Sequence, residues 1–103
     1  MAVFHLHITT PEGNNWDGDV ESVVATGAEG SIGVMTNHAP MIAALQPGVL
    51  KVRGEDATHY YAAGPGVLEV RLDKMVVILT DYAEPFETQE EAKSKVRELK
   101  HLL

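Results

Sequence analysis

The residues that could do chemistry are few and scattered. His5 and His7 stand two apart in an alternating stretch, which puts both rings on one strand face. That spacing can chelate a metal if a third ligand arrives from a neighbouring strand, His59 or an Asp among the candidates. The plainer reading is a pair of histidines on a solvated or partner-facing surface. His38 lies in Met35-Thr36-Asn37-His38-Ala39-Pro40, between two strands. A general base there needs a nucleophile and an orienting acid, and the sequence shows neither, so a backbone-bonded or interface histidine is the expectation. Ser31 sits in Gly30-Ser31-Ile32-Gly33, which lacks the strand–turn–helix setting of a nucleophile elbow. Gly64-Pro65-Gly66 precedes neither Lys-Ser/Thr nor a helix, so it reads as a tight turn and not a phosphate loop. The acid pairs Glu55-Asp56 and Glu90-Glu91 read as exposed, and a general-acid pair needs burial to separate its pKa values. No catalytic, cofactor-binding or metal residue is therefore assigned.

The elements that must position these residues are mostly strands. Phe4, Leu6 and Ile8 alternate with His5, His7 and Thr9. Further β-rich runs cover residues 20–26, 31–35, 49–53, 58–63, 67–72 and 75–80, divided by Gly, Pro and Asn. Leu68, Val70 and Leu72 are expected inward, with Glu69 and Arg71 outward. Residues 75–80 are apolar on both faces, which places them centrally in a sheet. Strands this short and this regularly punctuated predict an antiparallel β-sandwich or barrel, and no helical pattern falls between them. The end of the chain differs. Thr88 and Glu91 fit a capping box, and Ala92, Val96, Leu99 and Leu103 form a helical stripe. Pro85-Phe86 reads as a hinge before that helix. The domain division is a sandwich over residues 1–84 and a helical tail over 85–103.

Composition narrows the function. The chain has 103 residues, enough for one domain, with a formal net charge of −7. Nucleic acid is an unsuitable partner, since phosphates repel an acidic surface, and the same charge argues against anionic lipid. From Glu87 onward four acids match four bases, so the excess belongs to the body. There is no cysteine, which excludes disulfides and thiolate metal sites. No apolar run approaches the roughly 20 residues of a membrane helix, and the first residues have neither a basic nor an apolar leader pattern, so no encoded export signal is expected.

One stretch, residues 23–40, resembles a family signature. Val23-Val24-Ala25-Thr26 leads through Gly27-Ala28-Glu29-Gly30-Ser31-Ile32-Gly33 to Asn37-His38-Ala39-Pro40. Three other segments fall in the same order: the opening strand into Thr10-Pro11-Glu12-Gly13, Leu45-Gln46-Pro47-Gly48, and Gly64-Pro65-Gly66-Val67-Leu68. Together they resemble the epsilon subunit of the F-type ATP synthase. The resemblance implies a β-sandwich of about ten strands followed by C-terminal helices. It also implies a non-catalytic rotor-stalk role without cofactor. In that role the chain links the gamma subunit to the c-ring, couples ion flow to ATP synthesis, and sits peripherally on the cytoplasmic face of the bacterial membrane without inserting in it. Carried over, Thr10, His38 and Ala43 would face gamma, and Glu29, Gly30 and Ser31 would face the c-ring. The departures are Thr36 where a proline is common, Pro65 in a usually Gly/Ser position, and room for one tail helix where the family has two. The family's Ile/Leu-Asp-x-x-Arg-Ala nucleotide motif is replaced by Thr88-Gln89-Glu90-Glu91-Ala92, so neither ATP binding nor strong inhibition of hydrolysis is expected. The alternative from another class is a small β-sandwich module that binds a metal or sugar through His5 and His7.

Overall fold

A computed structural model describes residues 2–13 and 16–102. Ten strands precede one helix: β1 Phe4–Thr9, β2 Trp16–Val20, β3 Ser22–Gly27, β4 Gly30–Met35, β5 Met41–Leu45, β6 Gly48–Arg53, β7 Thr58–Ala63, β8 Gly66–Val70, β9 Met75–Thr80, β10 Ala83–Phe86 and α1 Gln89–Leu102. The hydrogen-bonded order is β10-β7-β6-β3-β5-β8-β9-β1-β2, with β4 on the other side of β3. This sheet curls into the two layers of a sandwich. The layers join at β3 and β5, where Gly27 pairs with Leu45. On the open side Trp16 of β2 meets Tyr61 and His59 of β7, each at 6.5 Å between ring centroids.

The alternation seen in the sequence sets what faces inward. Phe4, Leu6 and Ile8 are buried, as are Leu50 and Val52 of β6, Leu68 and Val70 of β8, and Val76 and Ile78 of β9. Together with Val20, Val23, Val34, Leu45 and Tyr61 they form one core. The pairing is antiparallel with one exception: β1 runs parallel to β9, His5 beside Met75 and Thr9 beside Leu79.

Three expectations change. Leu72 is not inward; it is 89% exposed. The strand ends at Val70, and the Arg71 N–H donates to the Met75 carbonyl at 2.9 Å, so Leu72 sits in the turn. Lys74 closes that turn with φ 64°. The run read as residues 20–26 is two strands, β2 and β3, broken at Glu21. Pro85 and Phe86 are not a hinge: they pair with Tyr61 and Tyr60 in β10, an edge strand, where a proline's missing N–H costs no ladder bond.

The helix starts as its cap predicts. The Glu91 N–H donates to Thr88 Oγ1 at 3.2 Å, and the Thr88 N–H donates to Glu91 Oε1 at 3.2 Å. Ala92 and Val96 are buried and Leu99 is half-buried, while Leu103 of the predicted stripe lies outside the described residues. The helix packs on β6, β7 and β10, so its apolar face is covered by the sandwich itself.

Candidate functional site

The paired histidines are occupied by carboxylates. His5 lies opposite Asp19 and His7 opposite Asp17 in the β1–β2 ladder. His5 Nδ1 is 3.1 Å from Asp19 and its Nε2 contacts Asp17; His7 Nδ1 is 3.2 Å from the same Asp17. The hydrogen bond with Asp19 raises the His5 pKa above 6.5, outweighing the opposing effect of burial, and Asp17 adds to the rise. Among the described residues, no group of three or more His, Asp or Glu side chains is arranged to hold a metal ion. His59, named as a third ligand, stands against Trp16 instead. His38 is exposed, and its Nδ1–H donates to the Ala39 carbonyl at 2.7 Å.

Glu29, Gly30 and Ser31 occupy the tip of the β3–β4 hairpin, and all three are exposed. Gly27 pairs with Gly30 across a two-residue loop, and Gly30 has φ 129°, a conformation that favours glycine. The tip is held from one side by the segment after β5. The Gln46 N–H donates to the Thr26 carbonyl at 2.9 Å, the Gln46 side-chain amide donates to Ala28 at 3.2 Å, and the Ala28 N–H donates to Ala44 at 3.2 Å. A charged, solvent-facing loop is thus presented on a rigid base.

Thr10, His38 and Ala43 belong to a different region, the layer formed by β5, β8, β9 and β1, and the fold does not gather them into one cluster. Thr10 is buried at the end of β1, where it lines a groove with Leu79, Pro65 and Gly66. Ala43 is half-buried in mid-β5 beside Leu68. His38 is at the opposite end, in a groove with Phe4, Leu72 and Lys74.

Between them lies a surface that alternation did not reveal. On the outward side of this layer Ala44 pairs with Val67, and Val67 with Leu79. Ile42 stands two residues along from Ala44. Ile42 is 73% exposed, Leu79 51% and Val67 38%. The apolar run of β9 does mark a central strand, but its outer side faces solvent, with Met75 and Val77 half-buried and Leu79 open. Exposed apolar side chains thus stand on three neighbouring strands, with Glu69 opposite Ile42 at the edge of the group. The only sequence signal for it was that β9 is apolar on both faces.

Residues 3–86 match the family described as "ATP synthase, Delta/Epsilon chain, beta-sandwich domain". The ATP synthase epsilon chain of Staphylococcus aureus is 38% identical over 105 aligned positions, covering 99% of this chain and 78% of the relative. That of Ruminococcus albus is 32% identical with the same coverage. In a solved structure of the Euglena gracilis mitochondrial ATP synthase (OSCP/F1/c-ring), one chain superposes with a TM-score of 0.77 at 27% identity. The match covers 99% of this chain and 66% of that one. A chain in the Tetrahymena thermophila mitochondrial ATP synthase central stalk/c-ring shares the fold at a TM-score of 0.66 and 18% identity, over 93% of this chain and 89% of that one. The chain belongs to the delta/epsilon family of ATP synthase chains, and over 99% of its length it is similar to their epsilon chains.

Proposed function

We propose that this chain is a non-catalytic rotor subunit that joins gamma to the c-ring and so couples ion flow to ATP synthesis. The observation that carries this reading is the exposed apolar face of β5, β8 and β9, with Thr10 at one end and His38 at the other. Gamma covers this face: Ile42, Val67 and Leu79 make the apolar contact, with Thr10 and His38 at its two ends and Ala43 beneath it in β5. The hairpin tip at Glu29, Gly30 and Ser31 meets the polar loops of the c-ring. No helix among the described residues is long and apolar enough to cross a membrane, and the chain is held at the cytoplasmic face of a bacterial membrane through these partners.

The test is co-purification with gamma. The wild-type chain should form a one-to-one complex. Ile42→Glu and Leu79→Glu should each weaken it at least about tenfold, as expected for charge buried in an apolar contact. Both side chains are exposed in the free chain, so its denaturant midpoint should stay unchanged. Full retention of gamma by both variants overturns the assignment of this face. Glu29→Lys should leave gamma binding intact and weaken capture of the gamma–epsilon complex by isolated c-ring.

A further inference from the structure

A groove of 370 Å³ runs between α1 and the outward sides of β3 and β6. Among the described residues its walls carry Lys51, Lys93, Arg97 and Lys100, and no carboxylate. These are four of the eight Lys and Arg residues in a chain of net charge −7. Lys93, Arg97 and Lys100 fall at i, i+4 and i+7, which places them along one flank of α1. Glu91 and Glu98 fall on the opposite flank by the same geometry, while Glu90, three positions before Lys93, stands at the edge of the basic flank. Lys51 faces the helix from β6, where Leu50 and Val52 point into the core.

The ion pairs of the described residues lie elsewhere. Arg53 pairs with Glu21 at 3.6 Å and Arg71 with Asp73 at 3.7 Å. Among the described residues, none of the four groove cations makes an ion pair. Four like charges sharing one groove repel each other, and an anion that enters it relieves that repulsion and gains attraction from each. Thr26 and Ser31 add hydroxyls to the lining and Gln89 adds an amide. Donors of this kind hydrogen-bond to phosphate oxygens alongside Lys and Arg. Among the described residues no aromatic ring lines the groove, so they offer no stacking platform for a base.

We propose that this groove binds a phosphate-type oxyanion, whether a free phosphate or the phosphodiester headgroup of an anionic lipid. It is a site on the helix-bearing layer, away from the apolar face assigned to gamma, and does not depend on that assignment.

The probe is pyrophosphate, titrated into the full chain at low salt and followed by amide chemical shifts. Saturable shifts should concentrate at Thr26, Ser31, Lys51, Gln89, Lys93 and Arg97. Arg97→Gln should weaken binding at least about tenfold, as loss of a charge-assisted contact does. Lys74→Gln, in the β8–β9 turn, should leave it within about twofold. Vesicles of phosphatidylglycerol in phosphatidylcholine separate the two sources. Sedimentation of the wild type but not of Arg97→Gln assigns a headgroup; pyrophosphate binding without sedimentation assigns a free phosphate. Absence of saturable shifts, shifts spread equally over Arg53, Arg71 and Lys74, or undiminished affinity in Arg97→Gln overturns the proposal. Arg97 is exposed, so far-UV circular dichroism of the variant should match the wild type.

Discussion

Thr88 and Glu91 cap each other: each side chain accepts the other's backbone N–H at 3.2 Å. These two bonds satisfy amides that the first turn of α1 cannot pair internally. Thr88→Ala should therefore cost about 0.5–2 kcal/mol of helix stability. The loss should appear as faster amide exchange in residues 89–93, with exchange in β1 and β9 unchanged. Equal acceleration in both regions would show that helix and sandwich unfold as one unit.

Leu68 and Leu72 share one side by simple alternation, yet the structure gives them opposite fates. Leu68 is fully buried and Leu72 is exposed in a turn. Leu68→Ala should cost about 2–5 kcal/mol. Leu72→Ala should cost under about 0.5 kcal/mol. The check is the denaturant midpoint of each variant, and similar losses would mean that β8 continues past Val70.

The His5 ring bridges Asp19 and Asp17, and its pKa is raised above 6.5 by the Asp19 hydrogen bond first and by Asp17 after it. A raised folded pKa means that the folded chain holds this proton more tightly than the unfolded chain. Its stabilising contribution is complete below pH 6.5 and disappears as pH rises through the higher folded value. The ring carbon proton of His5 should titrate with a midpoint above 6.5, and Asp19→Asn should lower that midpoint. On the outer face β1 meets the uncharged Met75 and Val77 of β9 and the carboxylates Asp17 and Asp19 of β2. His7 shares Asp17, and Lys74 follows at the end of the β8–β9 turn, where its carbonyl takes the His5 N–H. An unchanged midpoint in Asp19→Asn would remove the proposed cause.

The helix is 14 residues long, about 21 Å at 1.5 Å per residue, and its apolar face already rests on β6, β7 and β10. The main core contains no residue of α1. Deleting residues 87–103 should leave the sandwich folded and bound to gamma. ATP hydrolysis by the assembled enzyme should change by less than about threefold, below about 0.7 kcal/mol in activation free energy. A release of hydrolysis of tenfold or more would show that this short tail inhibits.

Strands whose buried side is marked by period two were readable directly: β1, β6 and β8 show it in Phe4-Leu6-Ile8, Leu50-Val52 and Leu68-Val70. The strands that were missed lack that chemistry. β2 contains Asp17, Gly18 and Asp19, all poor strand formers, and is held by its ladder and ion pairs with β1. β5 contains two alanines, and β10 contains Pro85. For the site, the hairpin at Glu29-Gly30 was legible because turn residues are local. The apolar face was not, because exposure of Ile42 and Leu79 depends on which layer lies behind them. The cationic groove was hidden for the same reason: Lys51 and Arg97 are 46 positions apart and meet only when α1 docks.

The parallel pairing of His5 with Met75 also orders events in time. β1 leaves the ribosome first, but the neighbour that secures one of its edges is made some 70 residues later. At roughly 5–20 residues per second, that is a wait of about 4–14 s. During that interval β2 is the one strand neighbour β1 has, and a lone two-stranded hairpin is marginal in water. A nascent chain stalled before β9 therefore trails an apolar, half-paired strand, open to proteases and to aggregation. Completion of β9 closes the parallel ladder and removes that exposure in one step.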